Sequence, residues 1–168
     1  AKVRDIVKSD RYLDFALLKI SPPIGLEYGW LDLARDADTI RRAKAVKIIQ
    51  HPKGRPKEIV LDNTEILRHV GKFMHYAADT QGGSSGSPVF AREGEMVIGL
   101  HHAGANRYNE ATRMDVIAEM LSSYLPDPKT SQTTEDDPEA RAADRESTES
   151  SGGAVTGGDG GGMQAITE

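Results

Sequence analysis

The chain changes composition abruptly after Leu125, and this break limits how much of it can build a hydrophobic core. Residues 126–168 contain ten acidic and three basic residues, seven of the chain's 17 glycines and no aromatic residue. Such a segment buries too little apolar surface to offset a backbone ordering cost of about 1–2 kcal/mol per residue. We therefore expect residues 126–168 to form a disordered, acidic Gly/Ser-rich tail or linker, and the fold to lie within residues 1–125.

Charge separates at the same boundary. Residues 126–168 carry −7, which leaves +2 on residues 1–125 out of the chain's −5. The mildly acidic balance of the whole chain argues against a strongly basic nucleic-acid binder, and no apolar run approaches the roughly 20 residues that cross a bilayer. The chain has no cysteine, which excludes disulfides, thiolate metal ligands and a cysteine nucleophile. We expect neither a nucleic acid nor a membrane as a partner.

The pattern of residues 1–125 predicts a mostly β fold, because short apolar runs alternate with Gly- and Pro-rich turn signals. The predicted strands are 15–20, 45–49, 59–61, 64–70, 72–77, 88–91 and 96–101. A helix is predicted to close the fold, with Asp115 as its N-cap and Pro126 at its end. Its apolar face comprises Val116, Ile117, Met120, Leu121 and Tyr124.

One loop has the composition of a catalytic site. Residues 82–90 read Gly-Gly-Ser-Ser-Gly-Ser-Pro-Val-Phe. Glycines let a backbone turn its N–H groups inward, and converging N–H groups beside a serine hydroxyl form an oxyanion site next to a nucleophile. The alternative is a flexible Gly/Ser hairpin loop. Pro88 and the apolar residues after it argue against this alternative, because the loop enters a strand at once.

Residues 83–88 resemble the nucleophile loop of trypsin-like (chymotrypsin-fold) serine peptidases, Gly-x-Ser-Gly-x-Pro. The resemblance implies that Ser85 is the nucleophile and that the backbone N–H groups of Gly83 and Ser85 form the oxyanion hole. Residues 13–20 resemble the family's Asp-x-Ala-Leu-Leu segment, which implies that Asp14 is the triad aspartate. Residues 97–104 resemble the strand beside the specificity pocket. The likeness is greatest to bacterial members near the glutamyl endopeptidase group.

The triad implied by this resemblance lacks its base. The family order is His, Asp, Ser, and no histidine precedes Asp14. The order Asp, His, Ser of subtilisin-like peptidases does not fit, because their serine opens a helix whereas Ser85 leads into a strand. We expect an N-terminally truncated, all-β, trypsin-like double β-barrel. Residues 1–21 would be the end of the first barrel, and residues 22–125 the second barrel with its closing helix.

The residues that resemble the specificity pocket leave two substrate classes open. Asp79 lies six residues before Ser85, where an aspartate in trypsin-like enzymes attracts Lys or Arg. Thr80 and His101 match positions with which glutamyl endopeptidases hold an acidic side chain. His102, the next residue along, is interpreted as facing solvent. Asp79 would favour a basic substrate side chain, whereas Thr80 and His101 would favour an acidic one, and the two attractions oppose one another electrostatically. The sequence does not choose between these two substrate classes.

The function predicted from these residues is a serine endopeptidase that cleaves polypeptides through an acyl-enzyme. Its histidine would lie upstream of this chain, which by itself is expected to be inactive. No cofactor or metal is expected, and further domains beyond either end are compatible with the pattern. The alternative is a non-catalytic peptidase-like module that binds peptides or protein partners.

Overall fold

The computed structural model describes residues 1–126, which form two antiparallel sheets and three short α-helices. A two-stranded sheet pairs β1 (Lys2–Asp10) with β2 (Phe15–Ser21). A curled seven-stranded sheet has the order β4-β3-β7-β8-β9-β6-β5. Its strands are β3 (Val46–Gln50), β4 (Glu58–Val60), β5 (Ile66–Val70), β6 (Phe73–Tyr76), β7 (Pro88–Ala91), β8 (Val97–Ala105) and β9 (Tyr108–Arg113). The helices are α1 (Gly25–Tyr28), α2 (Ala37–Arg42) and α3 (Met114–Met120), and a 3-10 turn spans Pro52–Gly54.

The all-β class with a closing helix is confirmed, and each of the seven predicted strands corresponds to an observed one. Two further strands, β1 and β9, were not predicted. β1 is rich in charged residues and, among the strands of residues 1–126, pairs only with β2. β9 reads Tyr-Asn-Glu-Ala-Thr-Arg and carries little apolar signal. It lies between β8 and β6, so tertiary pairing rather than hydrophobic alternation makes it a strand.

The closing helix begins and ends differently from the sequence expectation. Arg113 occupies the N-cap position, and Asp115 lies inside the first turn, where its carboxylate accepts hydrogen bonds from the Arg113 guanidinium. Asp115 is therefore an ion-pair partner and not the cap. The helix ends at Met120, and turns rather than helix lead to Pro126. Tyr124, predicted on the apolar face, is 50% exposed for this reason.

The hydrophobic core takes buried residues from five strands of the seven-stranded sheet, β3, β6, β7, β8 and β9, and from the closing helix α3. β3 shows the period of two expected of a half-buried strand, with Val46 and Ile48 fully buried. Leu13 and Phe15, which flank Asp14, join the same core. The Thr112 hydroxyl donates to the Leu13 carbonyl at 2.6 Å. These contacts attach the turn that carries Asp14 to strand β9.

Two expectations from the sequence, the disordered tail and the boundary between the two barrels, remain predictions. The predicted acidic tail lies, apart from Pro126, outside the described residues. The boundary between residues 1–21 and 22–125 stays a prediction. No helix in residues 1–126 combines the length and apolarity that crossing a membrane requires.

Candidate active site

The loop that carries Ser85 depends on glycine at two positions. Gly83 and Gly86 have φ angles of +95° and +85°, in the region that side chains with a Cβ rarely adopt. At Gly83 a Cβ would also lie 3.3 Å from the Lys53 nitrogen and 3.4 Å from the His51 oxygen. The Lys53 N–H donates to the carbonyl of the preceding Gly82 at 2.8 Å. The turn after β3 therefore packs directly against the serine loop.

The two consecutive serines of this loop have opposite environments. Ser85 is exposed, and its hydroxyl donates to the backbone carbonyl of His102 at 3.3 Å. Ser84 is fully buried, and its hydroxyl has no hydrogen-bond partner among residues 1–126. Of these two serines, Ser85 is therefore the one whose hydroxyl is accessible to a substrate.

The backbone N–H groups of Gly83 and Ser85 donate to no protein acceptor within residues 1–126. Their neighbours are engaged: Ser84 N–H donates to Gln81 O at 3.1 Å, and Gly86 N–H to His101 O at 2.8 Å. Two donors, one on each side of Ser84, are therefore left free, which is one requirement of an oxyanion site.

Asp14 and Ser85 are brought to the same residue, His102. Asp14 has a φ of +48°, and its carboxylate Oδ2 lies 3.9 Å from His102 Nδ1. Ser85 contacts the backbone oxygen of His102. No hydrogen bond joins Ser85 to an imidazole in the described residues. The sequence favoured a solvent-facing His102, but its side chain is only 13% exposed.

His102 belongs to a row of charged and polar side chains that the sequence did not indicate. Its Nε2 lies 3.3 Å from Glu110 Oε1, without hydrogen-bond geometry. Glu110 Oε2 accepts from His75 Nε2 at 2.6 Å, and the Arg68 guanidinium donates to His75 Nδ1 at 3.0 Å. The donation from Arg68 makes His75 Nδ1 an acceptor, so Nε2 carries the proton. No cluster of three or more metal-ligating side chains with suitable geometry is found in the described part of the chain.

Of the three predicted pocket residues, Asp79 and Thr80 line one cavity, of about 470 Å³. Thr80 Oγ1 donates to Asn109 Oδ1 at 2.6 Å, and Asn109 Nδ2 donates to the Ala78 carbonyl at 2.7 Å. Asp79 is exposed, and its carbonyl accepts from the Gln50 side chain at 2.9 Å. Asn109 was not predicted, because it lies 29 residues from Thr80 and belongs to no motif.

His101 is not among the residues that line this cavity. The imidazole ring of His101 is buried, and its Nδ1 lies 2.8 Å from the Tyr76 hydroxyl. Burial, assisted by the adjacent His102, lowers the pKa of His101 from 6.5 to about 4. Burial also raises the pKa of Tyr76 above its usual value. Both side chains are therefore uncharged at neutral pH, and the Tyr76 O–H donates to the imidazole.

Comparison with known proteins finds relatives that share part of this chain. Secreted RxLR effector protein 73 of Plasmopara viticola is 33% identical over 113 residues, covering 62% of this chain and 28% of that protein. A glutamyl endopeptidase of Staphylococcus epidermidis is 29% identical over 122 residues, covering 68% of this chain and 43% of that protein. The chain thus spans less than half the length of either relative.

A solved structure has the same fold. The inactive form of the Rv3671c protease of M. tuberculosis aligns over 72% of this chain and 66% of its own, with a TM-score of 0.51 and 19% sequence identity. Residues 1–100 also match the sequence profile of the family described as trypsin-like peptidase domain. This match covers more than half of the 168 residues, and it includes the segments around Asp14 and Ser85. The chain therefore belongs to the trypsin-like peptidase domain family.

Proposed function

We propose that the protein containing this chain is a serine endopeptidase in which Ser85 is the nucleophile. The observation that carries the proposal is the exposed Ser85 hydroxyl beside two unpaired backbone N–H groups. Ser85 Oγ attacks the carbonyl carbon of the scissile bond, and the N–H groups of Gly83 and Ser85 stabilise the oxyanion that forms. The amine leaves with a proton, and water hydrolyses the resulting acyl-enzyme.

Asp14 is proposed as the residue that orients the general base. A triad aspartate holds the imidazole in the tautomer that accepts the serine proton, and it stabilises the imidazolium. Within residues 1–126 the Ser85 hydroxyl bonds to a carbonyl, His101 is bonded to Tyr76, and the His102 ring lies between carboxylates. No imidazole in residues 1–126 therefore accepts from Ser85, and the family order His, Asp, Ser supports a base that precedes Asp14 in the protein.

The second candidate function is a peptidase-like module that binds peptides or a protein partner without cleaving them. The absence of a hydrogen bond from Ser85 to any imidazole in the described residues favours it. A binding module does not require an accessible serine beside free N–H donors, so the loop geometry favours the enzyme.

Covalent labelling separates these two functions. The full-length protein is incubated with a peptidyl phosphonate, and the modified residue is located by mass spectrometry. We expect an adduct on Ser85 that is lost in Ser85→Ala. Ser87→Ala is the matched control, because the hydrogen bonds of Ser87 within residues 1–126 are made by its backbone. The proposal is contradicted if Ser85 carries no adduct, or if the adduct persists in Ser85→Ala. If the protein binds peptides but forms no adduct, the result supports the non-catalytic module.

A further inference from the structure

The cavity beside Thr80 is lined mainly by uncharged polar groups. Its walls come from residues 77–81, which precede the Ser85 loop, and from residues 105–109, at the turn between β8 and β9. Six of its eleven lining residues have an amide or hydroxyl side chain: Asn63, Thr80, Gln81, Asn106, Tyr108 and Asn109. Such a lining offers hydrogen bonds to a side chain that enters it, but it provides little apolar surface.

Two charged residues line the cavity, and their charges are opposite. Asp79 and Arg107 are both exposed. The other lining residues within the described part of the chain carry no charge at neutral pH. The lining therefore has no net charge, and the attraction of Asp79 for a cationic side chain is opposed by Arg107.

His101 adds no positive charge to this region. Its imidazole is buried, bonded to Tyr76 and uncharged at neutral pH, since its pKa is about 4. It is also absent from the cavity wall. An acidic side chain in the cavity would therefore lack the cation that a protonated histidine supplies. The remaining cation of the lining, Arg107, is exposed, and its attraction for a carboxylate is opposed by Asp79.

Thr80 and Asn109 form a fixed pair with one acceptor and one donor to spare. The Thr80 hydroxyl proton is used by Asn109 Oδ1, which leaves lone pairs on Thr80 Oγ1. Asn109 Nδ2 uses one hydrogen on the Ala78 carbonyl, which leaves its second hydrogen. Strand β8 approaches the pair closely, since a Cβ at Gly104 would lie 3.1 Å from Asn109 Oδ1. A primary carboxamide has the complementary groups, an N–H donor and a C=O acceptor.

We propose that this cavity binds the substrate side chain on the amino side of the scissile bond and selects glutamine over glutamate and lysine. Glutamine offers its amide to the spare groups of Thr80 and Asn109 and leaves no charge unpaired in a lining without net charge. The proposal rests on the proposed function, since the cavity is a specificity pocket only if Ser85 is the nucleophile. It differs from both substrate classes that the sequence suggested.

The first test compares four peptides that differ only in the residue before the scissile bond: Gln, Glu, Lys and Leu. With the full-length protein we expect kcat/KM for the Gln peptide to exceed the others by about tenfold or more. A preference for Glu or Lys overturns the inference.

A second experiment measures peptide binding in a variant that cannot cleave, so that the preference is determined independently of catalysis. The same peptides are titrated into full-length Ser85→Ala, and dissociation constants are measured by calorimetry. We expect the Gln peptide to bind about tenfold more tightly than the Glu and Lys peptides. Equal affinities overturn the pocket assignment, whereas a missing phosphonate adduct on Ser85 in the parent protein overturns the proposed function instead.

Variants that remove one charge at a time test the balance between Asp79 and Arg107. Arg107→Gln leaves Asp79 unopposed, so the affinity for the Lys peptide relative to the Gln peptide should rise about fivefold. Asp79→Asn leaves Arg107 unopposed, so the affinity for the Glu peptide relative to the Gln peptide should rise about fivefold. Both side chains are exposed, so these variants are expected to fold. Arg11→Gln, at an exposed position outside the cavity, is the control and should change neither ratio. Unchanged ratios in both pocket variants contradict the charge balance.

Discussion

The Tyr76 hydroxyl lies 2.8 Å from His101 Nδ1, and both side chains are buried behind the serine loop. The backbone of His101 also holds that loop, since its carbonyl accepts from Gly86 and its N–H donates to Ser87. One residue therefore links the interior of the sheet to the turn that presents Ser85. Its neutral imidazole is part of the support of the candidate site.

This relationship predicts that acid destabilises the fold through His101. Its pKa is 6.5 in the unfolded chain and about 4 in the folded one, so the unfolded state binds the proton more tightly. The associated stability is present above pH 6.5 and is lost as the pH falls towards 4, by about 3 kcal/mol. The measurement is the free energy of unfolding in urea at pH 7 and pH 4.

The variant His101→Gln isolates this contribution, since it cannot titrate. Its loss of stability between pH 7 and pH 4 should be smaller than that of the parent by about 3 kcal/mol. Equal losses in the two proteins would show that His101 does not titrate on unfolding.

Gly83→Ala is expected to distort the serine loop. The new Cβ meets the backbone of the turn after β3 at 3.3–3.4 Å, in addition to the cost of a positive φ. Gly86→Ala is the matched control, because it has a similar φ but nothing within 4 Å of its Cβ. We expect Gly86→Ala to cost about 1–2 kcal/mol of unfolding free energy, and Gly83→Ala about 1–3 kcal/mol more. Urea unfolding measures both, and equal costs would contradict the packing argument.

Thr112→Val tests the attachment of the Asp14 turn to strand β9. The substitution keeps the shape of the side chain but leaves the Leu13 carbonyl without its buried donor. We expect the free energy of unfolding to fall by about 1–3 kcal/mol. Thr112→Ser, which retains the hydroxyl, should recover part of the loss, and a Ser variant less stable than the Val variant would argue against the hydrogen bond.

Asp14→Asn tests the proposed role of the carboxylate in the full-length protein. An amide cannot hold the imidazole in the required tautomer, so kcat should fall by up to about ten-thousand-fold while KM changes little. Steady-state kinetics on a peptide substrate provide the measurement. Asp10→Asn is the control in the same turn, because Asp10 accepts hydrogen bonds from the backbone N–H groups of Tyr12 and Leu13. If Asp10→Asn lowers kcat as much as Asp14→Asn does, the effect is structural.

Much of the fold was predictable because strand signals are local. The run at residues 88–91 appears as β7 with the same bounds, and the helix after β9 is present. The errors have two causes, one local and one long-range. Asp115 is of a residue type that favours the N-cap, yet Arg113, two residues away, pairs with it. β9 becomes a strand because β8 and β6 flank it.

The sequence by itself determined the family and the β class, because a Gly-x-Ser-Gly-x-Pro loop is written in consecutive residues whose backbone requirements are local. Only the tertiary structure decided the surroundings of that loop. Sheet pairing places Gly104 opposite Asn109 and His101 opposite Ala111, and it brings Asn109 to Thr80 and Tyr76 to His101. The charge state of a histidine and the hydrogen-bonding capacity of a cavity depend on burial and on such neighbours. Those neighbours lie 25 to 29 residues away along the chain, and they become neighbours only when the strands pair.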